Sequence, residues 1–151
     1  MVWLVIIHVL SAVLGLGPAF AFPWMLRAVS TVNDMSRNLQ QVAYLEKFPK
    51  VFGSLAVLSG LALFWLGSYG PFMQLWLAGT LAVFIVTEVL VIGFLNPAAN
   101  RLMKRIAESP LSPEAAPTGD LAGLYTRVRS LHIWSGVLGL IIFVLMIAKP
   151  H

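Results

Sequence analysis

The sequence predicts an all-α protein, a four-helix transmembrane bundle with both termini outside, and three observations predict it. Of its 151 residues 59% are hydrophobic and 11% charged, against about 45–50% and about 25% in soluble domains. Four apolar runs are each long enough to cross a hydrocarbon core of about 30 Å at about 1.5 Å per residue. Nine of the ten basic residues lie in the connections at one end of those runs. Uninterrupted apolar runs lack the alternation of a membrane barrel. The whole chain, 1–151, reads as one integral membrane domain.

The first run covers residues 2–26. It has no basic segment ahead of it, so it reads as a retained span and not a secretory signal. The stretch that follows, "STVNDMSRNLQQVAYLEKF", has few helix breakers and is expected to extend this span as a helix. The second run covers 51–68 and places Gly53, Gly60 and Gly67 seven residues apart, on nearly one face. Small residues on one face let membrane helices approach closely. The third run, 72–95, follows an uncharged turn and contains Glu88, the one carboxylate inside a span. The connection "ESPLSPEAAPTGD" holds three prolines and a glycine and reads as a flexible loop, with Asp120 placed to cap a helix leading into the fourth run, 131–148. Trp3, Trp24, Trp65, Trp76 and Trp134 fall near span ends, where aromatic rings anchor at headgroup level.

Orientation follows from charge. Arg27, Arg37, Lys47 and Lys50 lie in the first connection, and Arg101, Lys104, Arg105, Arg127 and Arg129 in the third, leaving Lys149 alone at the other end. The positive-inside rule puts the basic end in the cytoplasm. The net charge of +4 therefore reports topology, and no nucleic-acid partner is expected. Absence of cysteine excludes disulfides, thiolate metal sites and cysteine nucleophiles.

One phrase occurs twice. "HVLSAVLGL" begins at His8 and "HIWSGVLGL" at His132, with six of nine positions identical. The first and fourth spans run in opposite directions, so this is an inverted similarity. His8 falls near the outer face and His132 near the cytoplasmic one, too far apart to ligate one haem iron. Positions i+3, i+4 and i+7 share a face with each histidine. They are Ser11, Ala12 and Gly15 after His8, and Ser135, Gly136 and Gly139 after His132. Such stripes allow close packing or clear a flat space beside an axial haem ligand. His8 is the stronger candidate for haem iron, lying deeper in a wholly apolar run. His132 can instead reach headgroups, water or Glu88. Ionisable groups inside a membrane are functional candidates by default, which makes Glu88 a proton relay or polar centre.

"LVIIHVLSAVLGLGPAF", four spans and the closing "VLMIAKP" together resemble a bacterial family of small predicted integral membrane proteins of unknown function. That family is similar to the HemJ-type protoporphyrinogen oxidases and to the membrane domain of copper-resistance D proteins. The resemblance implies a multi-pass protein of the bacterial plasma (inner) membrane and a haem b ligand at His8. The third span lacks the lysine that the HemJ type carries there, which argues against protoporphyrinogen oxidation. Copper(I) prefers sulfur ligands, and neither cysteine nor clustered methionine is present.

Two functions follow as expectations. One is a membrane haem b protein in electron transfer or porphyrin handling, an oxidoreductase if it turns over a substrate, with Ala12, Gly15, Gly136 and Gly139 clearing space for the cofactor and a second copy or partner subunit free to supply the other ligand. The other is a cofactor-free membrane subunit or small transporter centred on Glu88.

Overall fold

A computed structural model describes residues 1–150. Six α-helices follow one another: α1 (Val2–Met25), α2 (Val32–Leu45), α3 (Lys47–Leu66), α4 (Leu75–Leu90), α5 (Asn96–Glu108) and α6 (Gly119–Ala148). A five-residue π-helical segment, Val91–Leu95, joins α4 to α5. No strand occurs among the described residues. The six helices form four rods apolar enough to span a membrane: Val2–Met25, Val32–Leu66, Leu75–Glu108 and Gly119–Ala148.

Three rods exceed what a bilayer needs. Rods of 35, 34 and 30 residues measure about 50, 50 and 45 Å at 1.5 Å per residue. The excess of each projects at the basic end, and the projecting parts pack together. Phe22, Leu26, Val32, Met35, Leu39, Val42, Leu95, Ala98, Leu102, Leu121, Tyr125 and Val128 form one buried cluster there. Asn38 Nδ2 donates to the Tyr125 hydroxyl (3.1 Å), which donates to the Arg27 carbonyl (2.8 Å). The buried cluster therefore carries its own satisfied polar link.

Within the span region the helices follow the order α3, α1, α6, α4. Helix α1 packs on α3 and on α6, and α4 packs on α6, while the consecutive helices α3 and α4 do not pack along their lengths. Large apolar side chains such as Leu58, Trp65, Val89 and Val144 are more than half exposed, as lipid-facing residues are.

Three local expectations are corrected. The segment after the first span does not extend it: α1 stops at Met25, and Thr31 restarts a helix by accepting a hydrogen bond from Asp34 N (3.1 Å). That helix leads into the second span instead. The proline-rich connection is not a free loop. Its Pro113 and Ala115 carbonyls accept from Asn33 N and Val32 N, both at 2.9 Å, supplying partners that the first turn of α2 lacks. Thr118, and not Asp120, caps α6, accepting from Leu121 N, while Asp120 pairs with Arg105. Trp76 also departs from the anchoring pattern. It is buried beneath Tyr69, with the Lys149 ammonium 5.4 Å from its ring.

Candidate functional site

The two copies of the repeated phrase sit in different surroundings. His8 leans on α3, where its Nδ1 lies 2.8 Å from the Ala56 carbonyl and 3.3 Å from Ser59 Oγ. A carbonyl only accepts, so Nδ1 carries the proton and, in the neutral ring, Nε2 carries the lone pair. The ring edge fills the place of a side chain at Gly60: a Cβ built there would stand 2.9 Å from His8 Cε1. One and two turns further along α1, Ser11 and Gly15 are buried. A Cβ on Gly15 would lie 2.8 Å from the Gly53 backbone nitrogen. Of the three glycines spaced along the second run, Gly60 serves the close approach that the spacing predicts; a Cβ at Gly53 would meet nothing within 4 Å, and Gly67 caps the end of α3 beside Tyr69.

The stripe after His132 is filled from the other side of α1. A Cβ at Gly136 would meet Phe20 at 3.6 Å, and one at Gly139 would meet Leu16 at 3.4 Å. Helix α1 therefore lies between the two small-residue stripes, presenting Gly15 to α3 and its Leu16 and Phe20 side chains to α6. A porphyrin needs a clear slab beside its axial ligand, and inside the bundle neither stripe offers one. Haem does not fit between α1 and α3 or between α1 and α6 with the helices packed this closely.

His132 itself is 4% exposed. Phe22 meets its ring edge-on, with centroids 5.3 Å apart. Its Nε2 is the single buried side-chain nitrogen or oxygen without a hydrogen-bond partner among the described residues. The nearest charged atom is Glu46 Oε1, 3.8 Å away. That separation is too long for a hydrogen bond, which needs about 2.7–3.2 Å, and short enough for direct charge interaction. Glu46 also faces the Lys50 ammonium one turn along α3 at 3.8 Å.

These groups line a cavity of about 190 Å³ where the basic-end cluster meets the spans. Its polar lining comprises Glu46 and Lys50 from the α2–α3 junction, Asn96 and Asn100 from α5, and His132 from α6. Lys50 and Asn100 are exposed, so the cavity reaches the surface along that edge. Ligand pockets for drug-sized molecules start at about 300 Å³. This one suits water or a small polar ligand, not a macrocycle.

Glu88 stands apart. It is half-buried on α4, forms no side-chain hydrogen bond or ion pair among the described residues and lines neither of the two principal cavities. The contact that the sequence suggests between His132 and Glu88 is made instead between His132 and Glu46. Met25 packs against the basic-end core. No cluster of three or more His, Cys, Asp or Glu suited to a metal occurs among the described residues.

Sequence reasoning finds His132 but misses Glu46, Lys50, Asn96 and Asn100, all of which lie in polar connections that read as solvated. Spacing offers one partial signal, the Glu46–Lys50 pair at i, i+4. Nothing in the linear order brings that pair to α6.

Fold and cavity together define a multi-pass helical membrane protein with a polar pocket at the mouth of its span region. The chain belongs to the family of predicted integral membrane proteins DUF2269, which matches residues 2–150. No curated protein and no solved structure matches it.

Proposed function

We propose that the protein is a cofactor-free membrane subunit or small transporter whose working centre is the pocket formed by His132 and Glu46, a couple that holds and exchanges a proton. The observation that carries this is the unpartnered, buried Nε2 of His132 facing a carboxylate across 3.8 Å. Buried polar atoms are almost always paired, and an exception at the wall of a cavity marks a place where water, a proton or a ligand completes the set. An imidazole and a carboxylate separated by slightly more than a hydrogen bond close on each other when a proton is shared between them. They open when it leaves through the edge carrying Lys50 and Asn100. By the positive-inside rule this pocket faces the cytoplasm.

A double-mutant cycle tests the couple. His132→Gln, Glu46→Gln and the double variant are compared by thermal unfolding in detergent. Removing one member leaves the other buried and uncompensated, so the double variant should cost less than the two singles together. Residues in contact couple by about 0.5–3 kcal/mol. Strict additivity would overturn the proposal.

A specific observation favours a second reading, haem b bound through His8. The Nδ1 bond to Ala56 O (2.8 Å) fixes the ring, as a hydrogen bond at the non-ligating nitrogen fixes metal-binding histidines. His8 Nε2 has no partner and is not among the buried atoms, so it reaches the bundle surface. A haem there would lie outside the packed interior, its second ligand coming from another copy or a partner subunit, and electron transfer would be its function.

A further inference from the structure

A second cavity, of about 90 Å³, lies where the π-helical segment and the start of α5 meet α6. It is lined by Phe94, Pro97 and Ala98 from one rod and Leu124 from the other, with the exposed Gly93, Arg101 and Arg127 completing it. A Cβ at Gly93 would meet nothing within 4 Å, so the space beside it is open. Both arginines are exposed and neither has an ion-pair or hydrogen-bond partner among the described residues. Arg37, Lys50 and Arg105, by contrast, are each paired with a carboxylate.

We infer that this groove binds the phosphodiester head of an anionic phospholipid between Arg101 and Arg127. Its position is the first argument. The apolar run of the third rod ends at Leu95, and the polar helix α5 begins at Asn96. On α6, Arg127 and Arg129 precede the apolar run that starts near Leu131. The groove thus lies at the level where headgroups meet the hydrocarbon. Charge is the second argument. Two unpaired guanidiniums facing one cleft are matched by a phosphate, which accepts their forked donors. Basic clefts between helices on the cytoplasmic side are where anionic headgroups are held. The third argument is what lies above the groove. Ile85, Val86, Val89 and Ile92 are all more than half exposed on the same rod, an apolar surface along which acyl chains would run. By water's share of about 30 Å³, the volume equals about three waters and suits a phosphate group.

The π segment contributes Gly93 and Phe94 to the lining of this cleft. Such segments occur frequently at functional sites.

Native mass spectrometry of the full chain, titrated with phosphatidylglycerol or phosphatidylcholine, provides the test. Wild type should retain one phosphatidylglycerol with a preference of roughly tenfold or more over phosphatidylcholine. Two variants should weaken that preference: Arg101→Gln with Arg127→Gln, which removes the charge, and Gly93→Leu, which keeps both arginines and sets a bulky side chain at the open edge of the groove. Gly93→Leu guards against misfolding, since its added side chain enters open space. Equal retention of the two lipids by wild type would overturn the inference. So would a full preference surviving in both variants, or displacement of the lipid by inorganic phosphate at equal concentration. The outcome is independent of the His132–Glu46 couple, which lines the other cavity.

Discussion

Replacing Gly15 by alanine should destabilise the protein, while the same change at Gly53, directly across the contact, should not. An alanine Cβ at position 15 would stand 2.8 Å from Gly53 N, 3.1 Å from Phe52 C and 3.2 Å from Gly53 Cα. All three are backbone atoms of α3 and cannot rotate aside. Reaching ordinary contact at 3.4 Å requires α1 and α3 to part locally by about 0.6 Å. That movement loosens the dispersion contacts along the interface and stretches the His8–Ala56 bond nearby. Overpacking of this kind costs about 1–3 kcal/mol. At position 53 the new Cβ meets nothing within 4 Å, and alanine gains up to about 1 kcal/mol in helix propensity over glycine. Thermal unfolding followed by circular dichroism in detergent reads both variants. For a chain of this size each kcal/mol moves Tm by about 2–4 °C. The same propensity gain offsets part of the overpacking at position 15, so Gly15→Ala should fall by up to about 12 °C, and Gly53→Ala should hold or rise. Equal behaviour of the two variants would refute the close α1–α3 contact.

Three further outcomes follow from the same geometry. Leu102→Ala empties a fully buried position in the basic-end core and should cost about 2–5 kcal/mol by thermal unfolding, whereas Leu58→Ala on the lipid-facing surface should cost far less. Tyr125→Phe removes the hydroxyl that serves Asn38 and Arg27; leaving the Asn38 amide buried and unpaired should cost about 1–3 kcal/mol, and adding Asn38→Ala should cost less than additivity requires. Any haem carried by the purified protein, measured as pyridine haemochrome, should disappear in His8→Ala and persist in His132→Ala; persistence in His8→Ala would end the haem proposal.

What the sequence makes legible is set by which forces act locally. The four spans are readable because burial in lipid demands unbroken apolar length, and Gly60 because the His8 ring packs where its side chain would be. The basic-end cluster is harder to see. Helix α2 is amphipathic, but its apolar residues Met35, Leu39 and Val42 find their partners on α5 and α6 through the fold, not through neighbours in the chain. The π turn at Val91–Leu95 lies within a continuous apolar run and alters no composition. The helix restart at Thr31 and the cap at Thr118 both rest on side chains that an ordinary loop also contains. The candidate site divides along the same line. His132 is conspicuous because an ionisable group is costly in a span. Glu46 is unremarkable until the junction of α2 and α3 carries it to α6. The repeated phrase is legible as a pair of small-residue stripes, yet its two histidines diverge because α1 offers a glycine on one side and Leu16 and Phe20 on the other.

Topology can be checked independently of stability. A reporter placed in the 110–117 connection should be active in the cytoplasm, and one fused after residue 151 should be active on the other side of the membrane. The reverse pattern would move the His132 pocket to the outer face.

Whether His132 and Glu46 act as one proton-holding couple can be read by nitrogen NMR of protein labelled only at histidine. The sequence has three histidines, so His8→Ala and His132→Gln suffice to assign the His8 and His132 ring signals. Glu46→Gln should change the protonation or tautomer balance read at His132 Nε2, 3.8 Å from the lost carboxylate. The His8 signals, held by Ala56 on another helix, should stay where they are. A His132 spectrum that is the same with and without the Glu46 carboxylate at every pH would contradict the account.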